Sequence, residues 1–167
     1  MANVTVGQQA PALDMVLQST DDQPMTLASL LERGPVLVGL YKSSCQASKT
    51  MFPFLQRVGD QYKDRGLQVV GVAQDSPNIT QSFARRLDLT MPFMIDLPDY
   101  PMSREFDIAA TPTVFLIGQD GKVAWTTMGF LKPQLNDLGT AVAGLFGIDP
   151  IPVVTDADAD VPMFVPG

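Results

Sequence analysis

The stretch PVLVGLYKSSCQASKTMFPFL, residues 35–55, decides how the rest of the chain reads. Pro35 to Tyr41 is a short β-branched run bounded by Gly34 and Ser43, which predicts a buried strand. From about Gln46 the period changes. Met51, Leu55, Val58 and Tyr62 recur at spacings of 4, 3 and 4, while Gln56, Asp60, Lys63 and Asp64 fill the other side. That is an amphipathic helix, entered near Gln46 and stopped by Gly66. The junction between strand and helix holds the only cysteine of the chain, Cys45.

Outward from this unit the alternation continues. GLQVVGVA, residues 66–73, reads as a second buried strand. Asp75-Ser76-Pro77-Asn78 supplies an N-cap and a helix-starting proline, and Ile79, Phe83 and Leu87 follow four apart, so a second helix is expected. MPFMIDL (91–97) reads as a short strand. TVFLIG (113–118) and KVAWTTM (122–128) flank Asp120-Gly121 as a β-hairpin that carries the only tryptophan, Trp125, as packing. Pro133 to Phe146, with Leu135, Leu138, Val142 and Leu145 in phase, predicts a further amphipathic helix. The order implies an α/β fold with a central mixed sheet and helices on both faces. The body spans 1–147. Residues 148–167, acidic and Pro-rich with no basic residue, read as a weakly ordered or extended tail, and Asp156 to Asp160 within it as a solvated run.

Composition narrows the chemistry. A chain of 167 residues, 46% of them apolar, supports one domain whose core needs neither a structural metal nor disulfides. A single cysteine excludes an intrachain disulfide. With no histidine, every Ser-His-Asp or Cys-His mechanism is excluded, as are the usual nitrogen and sulfur ligand sets for zinc or iron. No metal is expected. The nine methionines read as core filling rather than a copper site. GxGxxG and P-loop patterns are absent, so no cofactor is implied. Eighteen acidic against eleven basic residues give a net charge of −7, the wrong sign for nucleic acid or an anionic membrane. No apolar run approaches the ~18 residues of a membrane span. The first residues lack the cationic and apolar segments of a secretory signal, and a cytoplasmic protein is expected.

Chemistry centres on Cys45. Free N–H groups and the positive end of the dipole at a helix start favour a thiolate, and Lys42 and Lys49, three residues before and four after, add positive potential if they point toward the sulfur. Ser48 sits on the first helical turn, where its hydroxyl can approach the sulfur and hydrogen-bond it, but cannot form a disulfide. Pro53 lies inside the helix, at a position that normally costs about 3 kcal/mol. In Ala110-Thr111-Pro112-Thr113 a proline stands at the mouth of a core strand, where a cis peptide can be accommodated.

Taken together, a strand, Cys45-x-x-Ser48 at a helix start, Pro53 eight residues on, and Thr111-Pro112-Thr113 before a strand–turn–strand resemble the thioredoxin fold. GQQAPALDMVL, TLASLLERGPVLVGLY, VVGVAQDSP and REFDIAATPTVFLIGQDGKVA resemble its longer redoxin branch, which contains the alkyl hydroperoxide reductase/thiol-specific antioxidant and cytochrome-biogenesis-type thiol oxidoreductases. The resemblance covers nearly all of 1–147. It implies an N-terminal hairpin extension and a helix–strand insertion at about Asp75 to Ile95. It also implies that Cys45 is the nucleophile, that Ser48 holds the resolving-cysteine position, and that Pro112 is a cis-proline whose neighbour Thr111 pairs with substrate. Tyr41 and Ser44 occupy the places of the flanking tryptophans and join Thr111 and Pro112 as expected substrate-binding residues. Gly39 stands where thioredoxins carry a buried acid. Peroxiredoxins have Thr or Ser where this chain has Lys42, and they need an arginine for which Arg104 is the candidate.

Three functions follow as expectations. The first is thiol–disulfide exchange through one cysteine, with a mixed disulfide to a substrate or glutathione resolved by an external thiol such as glutathione or a thioredoxin. The second is an antioxidant one-cysteine peroxidase that reduces hydroperoxides with an external thiol. The third is a redox-inactive binding module whose peptide groove surrounds Cys45 and Thr111-Pro112.

Overall fold

The computed structural model describes residues 4–167. In chain order it contains the hairpin β1 (Leu17–Ser19) and β2 (Pro24–Met25), α1 (Leu27–Leu31), β3 (Val36–Tyr41), α2 (Gln46–Tyr62), β4 (Gln68–Ala73) and α3 (Pro77–Arg86). There follow β5 (Phe93–Ile95), α4 (Pro101–Glu105), β6 (Thr113–Ile117), β7 (Val123–Met128), β8 (Phe130–Leu131), α5 (Lys132–Phe146) and β9 (Phe164–Val165). Seven strands form one mixed sheet in the order β2-β1-β5-β4-β3-β6-β7, with β3 parallel to β4 and antiparallel to β6. The expected hairpin extension is β1–β2, and the expected insertion is α3 with β5.

The sheet separates two apolar cores. One lies under α2, α3 and α5, the other under α1 and α4. The first is keyed by a pair of glycines. Gly39 and Gly71 face each other across β3 and β4. A Cβ on Gly39 would stand 2.9 Å from the Phe52 ring, and one on Gly71 would stand 2.5 Å from Phe93 and 3.2 Å from Phe52. The rings of Phe52 and Phe93 therefore lie where side chains of the sheet would otherwise be. Tyr41 packs against Phe52 and Phe83 with centroids 4.3 and 4.7 Å apart. A fully buried phenylalanine such as Phe52 contributes about 1.5–3 kcal/mol, so this cluster holds α2 firmly onto the sheet. Pro53 does not break α2. Its ring is exposed, so the Lys49 carbonyl that loses its i+4 donor stays on the solvent side of the helix.

Residues 148–167 do not form the loose tail that composition suggested. Val153 is fully buried against α5, where Gly139 leaves it room, and a Cβ on Gly139 would lie 2.9 Å from the valine side chain. Asn136 Oδ1 accepts from both Val153 N and Val154 N, and Ile151 N donates to the Tyr62 hydroxyl. Asp158, assigned to a solvated run by its neighbours in sequence, is buried and paired with Arg57, whose guanidinium donates at 2.8 and 3.1 Å. Lys132 Nζ donates to the carbonyls of Asp158 and Val161, and β9 pairs antiparallel with β8. The segment has no cation of its own, so the cations that order it come from α2 and α5. Charge content within a window cannot reveal partners that lie so far away in sequence.

The Arg57 guanidinium and the Thr155 N–H hold the Asp158 carboxyl below its ordinary value of 3.8. A lowered folded-state value gives stability that is present above the unfolded value and is lost as pH falls through the folded one. Asp158→Asn is expected to lower unfolding stability by about 1–3 kcal/mol at pH 7, the worth of a hydrogen bond to a charged group. In urea denaturation the gap to wild type should narrow as pH falls below the carboxylate range. A gap independent of pH would contradict this assignment.

Candidate functional site

Strand register assembles the site. In the sheet Tyr41 pairs with Ala73 and Leu40 with Thr113, so the carboxyl ends of β3 and β4 meet the start of β6 at one edge. The loop after β3, the loop after β4 and the Thr111-Pro112 loop are thereby neighbours. Asp75 anchors the first of these, its Oδ2 accepting from Ser43 N at 2.9 Å. Cys45 N donates to Lys42 O at 3.1 Å and closes a tight turn that sets Cys45 as the N-cap of α2.

Cys45 is half-buried, with extended backbone (φ −83°, ψ 124°), and its sulfur makes no cap hydrogen bond to the first turn of α2. Instead Sγ donates to the carbonyl oxygen of Thr111 at 3.3 Å. The Thr111–Pro112 peptide is cis, as is Leu97–Pro98. Pro112 is buried, Thr113 Oγ1 donates to Ala110 O at 2.7 Å, and Gly129 N donates to Pro112 O at 2.8 Å, so the loop that presents the Thr111 carbonyl is pinned at three points. Cys45, Thr111 and Pro112 are thus brought together as the resemblance implied, 66 residues apart in the case of sulfur and carbonyl.

Other expected site residues are placed differently. Tyr41 is fully buried among Phe52, Phe83 and Phe93, which removes it from the substrate surface. Burial, with the nearby Asp75 charge, pushes its hydroxyl far above the ordinary 10.0, so it stays protonated. The strand period explains the difference: Tyr41 is the last residue of a strand with both faces covered. Ser48 is also fully buried, and its hydroxyl has no hydrogen-bond partner among the described residues, so the expected bond to the sulfur is not made. Ser44 is exposed beside Cys45. Lys42 and Lys49 are exposed, with no side-chain hydrogen bond or ion pair among the described residues, and Lys49 turns toward α3, where it lines a cavity with Arg86. Arg104 lies on α4, which packs through Met102, with Phe106 just after it, into the other core, on the face of the sheet opposite α2. Gly39 has no room for the acid that thioredoxins carry, because Phe52 fills that space.

One neighbour of the site carries no signal in the sequence. Residue 167 packs on the cis-proline loop, such that a Cβ there would lie 2.5 Å from the Thr111 oxygen, and Gly129 approaches the same residue. The β8–β9 pair delivers it. Among the described residues no group of three His, Cys, Asp or Glu side chains is arranged to hold a metal, and no helix is long and apolar enough to cross a membrane.

Comparison with known proteins agrees with this geometry. The AhpC/TSA family model matches residues 6–126. The chain is 28% identical over 132 residues to the thiol-disulfide oxidoreductase ResA of Geobacillus thermodenitrificans, covering 78% of this chain and 74% of that one. It is 26% identical over 134 residues to the ResA of Bacillus subtilis, covering 80% and 73%. Among solved structures, one from Chlorobium tepidum described as a thiol:disulfide interchange protein DsbE superposes with a TM-score of 0.78 at 23% identity, over 87% of this chain and all of that one. Peroxidoxin BcpB of Mycobacterium tuberculosis superposes at 0.72 with 19% identity, over 88% and 99%, a likeness of fold. A family match across most of the chain, together with a cysteine N-cap set against a cis-proline loop on a thioredoxin-like sheet, leads to one conclusion: the chain belongs to the AhpC/TSA family.

Proposed function

We propose that the protein carries out thiol–disulfide exchange through Cys45 alone, with an external thiol completing each cycle. The observation that carries this reading is the placement of Cys45 Sγ: half-exposed, at the start of α2, and 3.3 Å from the Thr111 oxygen beside cis-Pro112. Similarity to proteins named thiol-disulfide oxidoreductases supports it.

In the first step the Cys45 thiolate attacks one sulfur of a substrate disulfide. The substrate S–S bond breaks, a Cys45–substrate disulfide forms, and the departing thiolate takes a proton from solvent. Before attack the Cys45 thiol gives up its hydrogen bond to Thr111, and the N-terminal turn of α2 then faces the charge. In the second step an external thiolate, from glutathione or a thioredoxin, attacks the mixed disulfide and releases Cys45. Ser48 stands where a second thiol would resolve it, and a hydroxyl does not attack a disulfide. The mixed disulfide therefore persists until an external thiol arrives. Arg104, the arginine expected for the peroxidase alternative, lies on α4, which packs into the other core, and no contact joins it to Cys45 among the described residues.

Two outcomes test the proposal. Wild-type protein incubated with a model disulfide substrate should accumulate a mixed disulfide at Cys45, seen by intact mass, that glutathione removes. Absence of any adduct on the folded protein would overturn the reading. Ser48→Cys should convert the persistent adduct into an internal disulfide between Cys45 and the introduced thiol, and confer insulin reduction in the presence of dithiothreitol. An unchanged, long-lived adduct in that variant would show that position 48 does not face the sulfur.

A further inference from the structure

The two flanks of Cys45 differ. On the β6 side the chain's own residue 167 packs on the Thr111 oxygen. On the β4 side the Ser43–Ser44 turn borders a cavity of about 350 Å³ between the first turns of α2 and the face of α3 that carries Ile79, Phe83 and Arg86. The spacing of Ile79, Phe83 and Leu87 assigns that face of α3 to the core, and Phe83 is buried there, but Ile79 stays 49% exposed and, with Phe83, forms the apolar wall of the cavity. Lys49 and Arg86 stand at its rim, both exposed and without an ion-pair partner among the described residues. Asp75, on the loop after β4, is engaged with Ser43 N. On a chain with a net charge of −7, Ser43 and Ser44 just before Cys45 and Lys49 one helical turn after it line an apolar-walled cavity whose two cations, Lys49 and Arg86, make it a local anion-selective site.

We infer that this cavity is the subsite for the non-reacting part of the disulfide partner, and that it selects small, carboxylate-bearing peptide disulfides through Lys49 and Arg86. This deepens the exchange reading above and rests on it. The chemistry is the first step already balanced: Cys45 attacks one sulfur of the partner, the partner's S–S bond breaks, and the half that remains attached lays its carboxylate toward Lys49 and Arg86 as the other half leaves as a thiolate. A guanidinium takes a carboxylate through two parallel N–H donors, whereas the ammonium of Lys49 acts as a point charge, so Arg86 carries the geometric part of the selection.

The test compares second-order rates of mixed-disulfide formation at Cys45 with oxidised glutathione, which is anionic, and with cystamine, which is cationic, in wild type, Arg86→Gln and Arg86→Lys. An exposed ion pair is worth up to about fivefold. The glutathione-to-cystamine rate ratio is expected to fall by about that factor in Arg86→Gln and to recover in part in Arg86→Lys. The wild-type ratio should also collapse toward the Arg86→Gln value at ~1 M salt, where the screening length is only ~3 Å. A ratio unchanged by Arg86→Gln, or one insensitive to salt, overturns the subsite while leaving exchange at Cys45 standing. Failure of the folded wild type to react with either disulfide would instead remove the exchange reading itself.

Discussion

Two paired glycines set the geometry on which everything else depends. Gly39 in β3 and Gly71 in β4 leave a depression that the rings of Phe52 and Phe93 occupy, and those rings would overlap any Cβ placed there. Because Phe52 lies about one and a half turns inside α2, its seat fixes both the height and the rotation of that helix over the sheet. The helix N-cap, Cys45, is thereby brought level with the cis-Pro112 loop that leads into β6, the strand on the other side of β3. Sulfur and Thr111 oxygen meet at 3.3 Å because one knob fits one hole some distance below them. The same fit leaves no room at Gly39 for the buried acid that thioredoxins carry.

A second set of contacts shapes the surroundings of the sulfur. Arg57 from α2 and Lys132 from α5 gather an acidic segment that brings no cation of its own, and Val153 anchors it in the core under α5. Residue 167 consequently rests on the Thr111 carbonyl. One flank of the reactive cysteine is therefore built from the chain's own backbone and the other is left as an open, cation-rimmed cavity. If that cavity takes the disulfide partner, its selectivity comes from the local field of Lys49 and Arg86 rather than from net charge.

Much of this was legible in the sequence, for identifiable reasons. β3, α2, β4, α3, the hairpin and α5 each have a strong period or a turn pair, and the strand–helix junction marked Cys45 without any long-range information. Thr111-Pro112 could be linked to Cys45 only through the resemblance to a known fold, since no local pattern joins residues 66 apart. Tyr41 was misplaced on the surface because its position in the motif outweighed the run of apolar neighbours that buries it. Ser48 was expected to reach the sulfur because spacing along a helix gives the face but not the direction of a short side chain. Helices α1 and α4, at five residues each, are too short to show a period; Thr26 Oγ1 caps the first, and the buried Asp96 accepts from Met102 N and Ser103 N at the start of the second. Residues 148–167 were misread because their order depends on Arg57 and Lys132, about 100 and 25 residues upstream of Asp158.

If Cys45 carries the exchange, folding makes it a better nucleophile than the same cysteine in an unfolded chain. The most direct measurement is the second-order rate of Cys45 with a small neutral disulfide, such as hydroxyethyl disulfide, in the folded protein and in the protein unfolded in urea at one pH. The folded protein is expected to react faster, because Cys45 is held half-exposed as the N-cap of α2, and a helix start favours an anion. A folded protein that reacts more slowly than the unfolded chain would make Cys45 a packing residue and contradict the account.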